Sequence, residues 1–344
     1  MSNWSPQEFV VRSAKGQLFS ESEMTVALSG MMRGEWSDAA IASFLTALKM
    51  RGETLAELVG TANAMRQMVR RVNFGPGPVL DTCGTGGDHA GTFNISTAVA
   101  FVVAAAGVRV AKHGNRSVSS RCGSADVLES LGVSIQLDDN QLRHCMEETR
   151  FAFLFAPSHH ASMRHVAPVR RELGFRTLFN LVGPLVSPAF ATHQLIGIYD
   201  RERLSDVAHA LVSLGVKRAL CVHGSDGMDE ITLAGTTYAM LVTDDTVHSL
   251  TIEPRSFGLE PCHASELAGG DAEDNAMLIR KVLAGNCPGP HKNVVALNAG
   301  AALFIAEVVP TLVDGVKLAT NVIETGAPLS VLQHVVRITQ ELHS

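Results

Sequence analysis

The sequence predicts an α/β protein composed of a small all-helical domain and a larger domain with a mostly parallel sheet. Up to about residue 69, apolar residues recur at helical spacing, whereas after residue 78 short apolar runs alternate with helical segments. Near-continuous apolar strands between helices are typical of a parallel sheet covered on both faces. We place the helical domain at 1–72 and the α/β domain at 78–344, with a Gly- and Pro-rich linker between them.

Two capping-box patterns place the starts of helices in the first domain. Ser20–Glu23 and Thr54–Glu57 each combine a hydroxyl residue with a glutamate three positions later. The segment between them repeats apolar residues at helical spacing, which predicts a further amphipathic helix. Helices from about 164–185 are expected to join this domain.

Strands of the second domain are predicted from its apolar runs, which lie at 79–84, 108–114, 133–137, 151–157, 193–199 and 218–224. A hairpin addition is predicted at 231–242, and the C-terminal segments are helical. In such sheets, ligands bind beyond the carboxyl ends of the strands. Polar segments follow four of these strands, at 83–88, 112–116, 156–160 and 223–230, so we expect one shared site.

Composition narrows the class of protein. The chain has 344 residues, 46% of them hydrophobic, and a net charge of -6, which indicates a globular protein and disfavours a nucleic-acid partner. Its 6 cysteines are scattered singly, which argues against zinc sites and disulfides and suits a reducing cytoplasm. The longest apolar run, Ala98–Val108, is too short to span a bilayer, and the N-terminus lacks a signal-peptide pattern. We therefore expect a cytoplasmic protein without a membrane partner.

A glycine-rich loop follows the first predicted strand, in "LDTCGTGGDHAGTFNIST". It is neither a dinucleotide fingerprint nor a Walker loop, and a tight strand-to-helix turn is the simplest alternative. Thr92, Asn94, Ser96 and Thr97, however, fall where the next helix begins. Backbone N–H groups and the helix dipole favour an anion at that point. The loop therefore predicts a phosphate or pyrophosphate site.

A basic loop follows the second strand, in "AKHGNRSVSSRCGSAD". Lys112 and Arg116 lie beside several serines, and two cations with hydroxyl groups can hold several phosphate oxygens. A solvated turn is the alternative reading. Together with the glycine-rich loop, this segment suits a ligand that carries more than one phosphate.

Charged residues elsewhere supply candidates for a metal and for a carboxylate. Asp229 and Glu230 follow a strand end and could hold Mg²⁺ through oxygen, although paired carboxylates are often solvated. Arg170, Arg171 and Arg176 could include one arginine that binds a carboxylate bidentately. The pair His159–His160 has no third ligand at zinc spacing, and Cys83 lacks the partners of a catalytic nucleophile.

Taken together, "GTGGD", "NIST", "KHGNR", "SSRCGSADVLE", "APVRRELGFRTLFNLVGPL" and "DGMDEIT" resemble the anthranilate phosphoribosyltransferase family. The resemblance covers nearly the whole chain and rests on six motifs in order. It implies a nucleoside-phosphorylase-like fold, usually homodimeric through the helical domain. The implied reaction joins anthranilate to phosphoribosyl pyrophosphate with Mg²⁺, two ions per subunit, in tryptophan biosynthesis.

The resemblance also implies which residues contact each ligand. Phosphoribosyl pyrophosphate would contact Gly84, Gly87, Asp88, Thr92, Asn94, Ile95, Ser96, Thr97, Lys112, His113, Gly114, Asn115, Arg116, Ser117, Val118, Ser119, Ser120 and Ser124. Anthranilate would contact Gly84, Asn115, His160 and Arg170, and Mg²⁺ would be held by Ser96, Asp229 and Glu230. No residue is assigned a covalent catalytic role.

Two departures from the family pattern bear on specificity, and two alternative functions stay open. Ala161 stands where the family usually has proline, and Cys122 where serine is common. The first alternative is a related transferase or phosphorylase that acts on a nucleobase or another aromatic amine. The second is a non-enzymatic paralogue that binds nucleic acid. Arg170 disfavours the related transferase or phosphorylase, because a nucleobase needs no cation as a partner for a carboxylate. The phosphate loop and the acidic net charge disfavour the nucleic-acid-binding paralogue.

Overall fold

The computed structural model describes residues 5–88, 90–117 and 121–343. The helices within these ranges are α1 Pro6–Ala14, α2 Glu21–Met32, α3 Asp38–Arg51, α4 Leu55–Met68, α5 Ile95–Ala105, α6 Ser124–Ser130, α7 Asp139–Thr149, α8 Ala156–His159, α9 Ala167–Leu173, α10 Phe179–Val182, α11 Leu204–Ser213, α12 Ala272–Leu283, α13 Pro290–Ile305, α14 Leu312–Glu324 and α15 Ala327–His343. The predicted capping boxes at Ser20 and Thr54 are confirmed, because each hydroxyl and its glutamate bond reciprocally to the backbone. None of the helices in the described ranges is long and apolar enough to cross a bilayer.

A single mixed sheet organises the larger domain. Its strands are β1 Leu80–Gly84, β2 Val110–Gly114, β3 Phe151–Phe155, β4 His193–Gly197, β5 Arg218–Gly224, β6 Thr237–Thr243 and β7 Thr246–Ile252, in the order β3-β2-β1-β4-β5-β6-β7. The first five strands in that order are parallel, and the last two are added antiparallel. The predicted fold class is therefore confirmed.

Two elements of the predicted sheet differ from the structure. The segment 133–137 is not a strand: its apolar residues are buried alternately, but Ser134 N–H donates to Thr339 Oγ1 of α15 at 3.1 Å. Alternating burial shows that one face of the segment is packed against the protein, and here the neighbour is helix α15 instead of a strand. The predicted hairpin at 231–242 lies further along the chain, because only β6 and β7 pair, while 231–236 form an irregular connection.

Both faces of the sheet are covered, as continuous apolar strands require. On one face, α5, α13, α14 and α15 form the larger core, into which Leu195, Leu220 and Val222 point. On the other face, Ile196 and Cys221 belong to a second core. Neighbouring residues of one strand thus enter different cores.

The second core joins the N-terminal helices to the sheet. It contains apolar residues of α1 to α4 together with Val166, Val169, Phe179 and Val182 from the segment at 166–186. The helices that follow β3 therefore pack with the N-terminal helices. The domain boundaries at 1–72 and 78–344 stay a prediction.

Candidate active site

The carboxyl ends of the parallel strands lie side by side, so the loops that follow them meet at one edge. Gly84 at the end of β1 pairs in register with Gly197 of β4, and Gly197 pairs with Val222 of β5. Gly114 of β2 pairs with Phe155 of β3. The four polar segments that follow strands therefore converge at this edge, as predicted.

The glycine-rich loop has a backbone that only glycine adopts without strain. Gly86 and Gly87 have φ angles of 68° and 73°, in the left-handed region. Gly86 N–H donates to Asp229 Oδ2 at 2.8 Å, and Asp229 N–H donates to Asp88 Oδ2 at 3.3 Å. The loop therefore lies directly against the segment that carries the predicted metal ligands.

Close approach between strand ends and this segment depends on two further glycines. A Cβ atom at Gly84 would lie 2.6 Å from Asp229 Oδ2, and one at Gly197 only 1.5 Å from Asp229 O. Sequence reasoning missed Gly197. Gly197 lies inside the predicted strand 193–199, and its contact with Asp229 joins residues far apart in the chain, so no local pattern marks it.

The paired carboxylates occupy a partly buried site with excess negative charge. Burial, and then the negative charge of Asp88, raises the pKa of Asp229 to about 7. Burial, and then the charge of Asp229, raises the pKa of Glu230 to about 8, against the opposing effect of Lys112. Burial and mutual repulsion thus disfavour the charged forms of these two carboxyls, and a divalent cation would favour them.

Lys112 lies beneath these groups as a buried, fixed cation. Its side chain is 2% exposed, and its Nζ donates to Thr82 O and to Ser96 Oγ, the latter at 3.1 Å. Burial lowers its pKa, while the charges of Asp81, Glu230 and Asp229 act in the opposite direction. Lys112 thus brings positive charge to the start of α5.

The start of α5 is held in place by side-chain contacts. Asn94 Nδ2 donates to Cys122 O at 3.1 Å, and Asn94 Oδ1 accepts from Asn275 Nδ2 at 3.0 Å. Ile95 and Thr97 are buried, at 1% and 0% exposure. Asn94 therefore ties the helix start to Cys122 and Asn275, Ile95 and Thr97 are buried beside it, and Ser96 is half-buried.

The second loop is only partly within the described ranges, because Val118, Ser119 and Ser120 lie outside them. Ser124 Oγ donates to Asn115 O at 3.3 Å, which closes the loop on itself. Arg116 forms ion pairs with Asp126 at 3.1 Å and with Glu129. Its guanidinium is thus engaged with carboxylates on α6, and its predicted contact with phosphate stays a prediction.

Two neutral histidines lie next to each other, His113 within β2 and His160 directly after α8. The ring centroids of His113 and His160 are 5.2 Å apart, and the Nε2 atom of each is buried with no hydrogen-bond partner among the residues that the structure describes. Burial, and then the neighbouring His159, lowers the pKa of His160 to about 4. Burial lowers the pKa of His113 as well. Both rings are uncharged at neutral pH and present a polar atom with no partner.

Arg170 on α9 is a partly buried cation without an anion. In 5–88, 90–117 and 121–343 its guanidinium contacts the Phe179 ring, 5.1 Å from the centroid, but makes no hydrogen bond or ion pair. Burial lowers its pKa. Arg171, by contrast, is exposed. Arg170 is therefore the arginine of this helix that suits a carboxylate ligand.

Arg176 connects the helices after β3 to the glycine-rich loop. Its Nη2 donates to Gly87 O, and its guanidinium carbon lies 3.9 Å from the centroid of the Tyr199 ring. Tyr199 N–H in turn donates to Thr85 Oγ1 at 3.0 Å. Arg176 thus supports the loop from outside.

Comparison with known proteins identifies the family. Residues 7–69 match the helical bundle domain of the glycosyl transferase family, and residues 76–329 match its a/b domain. The anthranilate phosphoribosyltransferase of Rubrobacter xylanophilus is 49% identical over 98% of both chains. That of Symbiobacterium thermophilum is 46% identical over 96% of this chain and 97% of the relative. The chain belongs to the anthranilate phosphoribosyltransferase family.

Solved structures of this family have the same fold. The crystal structure of anthranilate phosphoribosyltransferase from Thermus thermophilus superposes with a TM-score of 0.92 at 42% identity, over 96% of this chain and 99% of that one. The enzyme from Saccharomyces cerevisiae, in complex with PRPP (phosphoribosyl pyrophosphate) and Mg, gives a TM-score of 0.91 at 25% identity over 99% of both chains.

Substitution of Gly197 tests the close approach at the centre of the site. Gly197→Ala places a methyl group where Asp229 O lies, so we expect a loss of ~2 kcal/mol or more in the free energy of unfolding by urea. Gly183→Ala is the control, because its Cβ meets no atom within 4 Å and its backbone is helical. Equal stability of the two variants would contradict the packing described.

Proposed function

We propose that this chain transfers the phosphoribosyl group of phosphoribosyl pyrophosphate to the amine of anthranilate, giving N-(5-phosphoribosyl)anthranilate and pyrophosphate. The observation that carries the proposal is the contact of the glycine-rich loop with Asp229, which unites an anion-binding backbone with a metal-binding carboxylate. Its relatives, nearly half identical over almost the whole chain, are named for this reaction.

Phosphoribosyl pyrophosphate would bind across the loops after β1 and β2. Lys112 and the amides of the glycine-rich loop face the phosphates in this proposal, and the start of α5 adds further donors. The full proposed set is Gly84, Gly87, Asp88, Thr92, Asn94, Ile95, Ser96, Thr97, Lys112, His113, Gly114, Asn115, Arg116, Ser117, Val118, Ser119, Ser120 and Ser124.

The acidic residues suit Mg²⁺, the ion named with the Saccharomyces cerevisiae enzyme. We assign Ser96, Asp229 and Glu230 as its ligands, with two ions per subunit. Burial, and then the charge of a neighbouring carboxylate, raises the pKa of both carboxyls, and a bound cation would favour their charged forms. When bound, Mg²⁺ would neutralise the charge of the leaving pyrophosphate.

Anthranilate would lie on the side of the site that faces the helices after β3. Arg170 provides a cation for its carboxylate, and His160 provides an uncharged ring with a free Nε2. Gly84 and Asn115 complete the proposed set. A nucleobase needs no such cation, which favours anthranilate over that alternative.

The chemistry asks the protein for position and charge, and for no covalent step. The bond between ribose C1 and pyrophosphate breaks as positive charge builds on the sugar, and the amine nitrogen forms the new bond to C1. The amine, neutral at pH 7, releases its proton after bonding. Lys112 lies where negative charge accumulates on the leaving group, and Arg170 orients the attacking ring.

A fluorescence assay tests the proposal directly. Anthranilate fluorescence should fall when phosphoribosyl pyrophosphate and Mg²⁺ are added together, and should persist when either is left out. Folded protein that leaves the fluorescence unchanged, while it consumes phosphoribosyl pyrophosphate with a nucleobase, would establish the alternative transferase.

Alanine substitution of Arg170 should weaken anthranilate selectively. Loss of a charged hydrogen-bond donor is expected to cost ~2–4 kcal/mol in kcat/KM for anthranilate. The KM for phosphoribosyl pyrophosphate should barely change. Arg171→Ala is the matched control, because this exposed neighbour on α9 should leave both constants as they are. Equal damage to both substrates would assign Arg170 to the fold.

Replacing both carboxylates tests the metal assignment. Asp229→Asn with Glu230→Gln should lower kcat/KM about 100-fold or more, or ~3 kcal/mol, because charge is lost while size is kept. Since both folded pKa values are raised, wild-type protein without metal should lose stability as pH rises from about 4 to about 8. The double variant should not. If the double variant keeps the Mg²⁺ dependence of the wild type and the same pH profile of urea unfolding, the two carboxylates are surface residues and do not bind the metal.

We further propose that the chain forms a homodimer through its helical domain. The proposal rests on the family resemblance, and Met50, Leu18 and Val11, which are 85%, 61% and 52% exposed in this domain, are the apolar side chains that such an interface could bury. Sedimentation equilibrium measures the assembly directly.

A further inference from the structure

We infer that Asn298 is a positioning residue that fixes the metal-binding segment at 229–230 from inside the larger core. Asn298 lies on α13 and contacts no substrate in the proposed function, on whose metal assignment this inference rests. It acts through the backbone of Ile231, the residue that follows Glu230.

Both polar atoms of the Asn298 side chain form hydrogen bonds to the backbone. Oδ1 accepts from Ile231 N–H at 2.9 Å, and Nδ2 donates to Ile231 O at 2.8 Å and to Val294 O at 2.9 Å. Asn298 is 0% exposed, between Leu297 and Ala299 in an apolar helix. A buried amide in such a helix is costly unless it is fully bonded, and here it is.

The segment that Asn298 binds is not part of a β-strand, so it has no strand-to-strand hydrogen bonds. Residues 225–236 lie outside the strands, so the backbone groups of Ile231 cannot pair with a neighbouring strand. Asn298 replaces that pairing with the same two hydrogen bonds that a strand residue would supply. This fixes the chain immediately after the two carboxylates, while the missing Cβ atoms of Gly84 and Gly197 leave space for Asp229.

The helix that carries Asn298 is itself held rigidly. At the crossing of α13 and α14, a Cβ atom on Gly300 would lie 2.5 Å from Val316 N, and one on Gly315 would lie 2.2 Å from Gly300 O. Backbones packed this closely cannot slide without a clash. α13 also packs on α5, whose first turn carries Ser96. The same helix therefore contacts the elements that carry both Ser96 and the segment at 229–230.

A merely structural asparagine would affect stability but leave metal affinity alone, and this distinguishes the two roles. Residues that orient metal ligands from behind typically change metal affinity about 10- to 100-fold when they are replaced. We therefore expect Asn298→Ala to weaken binding of Mn²⁺, used as the probe with phosphoribosyl pyrophosphate present, by at least about 10-fold. The Mg²⁺ concentration that half-activates the enzyme should rise by a similar factor.

The measurement is free Mn²⁺ by electron paramagnetic resonance, on full-length protein. Leu303→Ala is the matched control: it lies on the same helix, is also 0% exposed and cannot hydrogen-bond. It should lower the stability of the protein and leave Mn²⁺ affinity unchanged. Asn298→Asp keeps the acceptor oxygen but loses the donor to the carbonyls of Ile231 and Val294. It should therefore weaken Mn²⁺ binding as Asn298→Ala does.

The outcomes separate this inference from the metal assignment. If folded Asn298→Ala binds Mn²⁺ like wild type while Asp229→Asn with Glu230→Gln does not, Asn298 has no positioning role. If the double variant also binds normally, the metal assignment itself is wrong. Should neither Asn298 variant fold, hydrogen exchange at Ile231 in the wild type decides. Its protection should increase with Mn²⁺ and phosphoribosyl pyrophosphate, and unchanged protection would overturn the inference.

Discussion

The close approach of Asp229 to the ends of β1 and β4 is the constraint on which the rest of the site depends. Two glycines, at 84 and 197, leave the volume that this residue occupies. Once there, its carboxylate meets the amide of Gly86 and the charge of Asp88, so burial and repulsion raise its pKa. The glycine-rich loop, the acidic side chains and the buried Lys112 are neighbours because Gly84 and Gly197 allow the backbone at Asp229 to approach the strand ends closely.

The two proposed substrate sites are built by different parts of the molecule. Phosphate-binding groups come from the strand ends of the larger domain, where the sheet fixes their spacing. Arg170 comes from helices that share a core with the N-terminal helices. Arg176 joins the two parts, because it extends from the helical side to Gly87 O and stacks on Tyr199. The alignment of ring and ribose therefore depends on how these helices pack on the sheet.

Local patterns in the sequence were enough to predict much of this architecture. Capping boxes, strand ends and the glycine-rich loop after β1 depend on neighbouring residues, so they can be recognised in the sequence alone. The contacts of Gly197 and Asn298 join residues far apart in the chain, and no local pattern marks them. The segment 133–137 failed for a related reason: alternating apolar residues predict burial, but not whether a strand or a helix lies alongside.

Burial of Lys112 has a consequence for conformational entropy. A free lysine side chain loses about 1.5–2 kcal/mol of rotamer freedom when it is fixed. Here the side chain is already ordered by Thr82 O and Ser96 Oγ in the folded chain. That loss is therefore part of the free energy of folding and does not recur at each turnover. In the proposed function, an arriving phosphate would therefore meet a lysine whose position is set before binding begins.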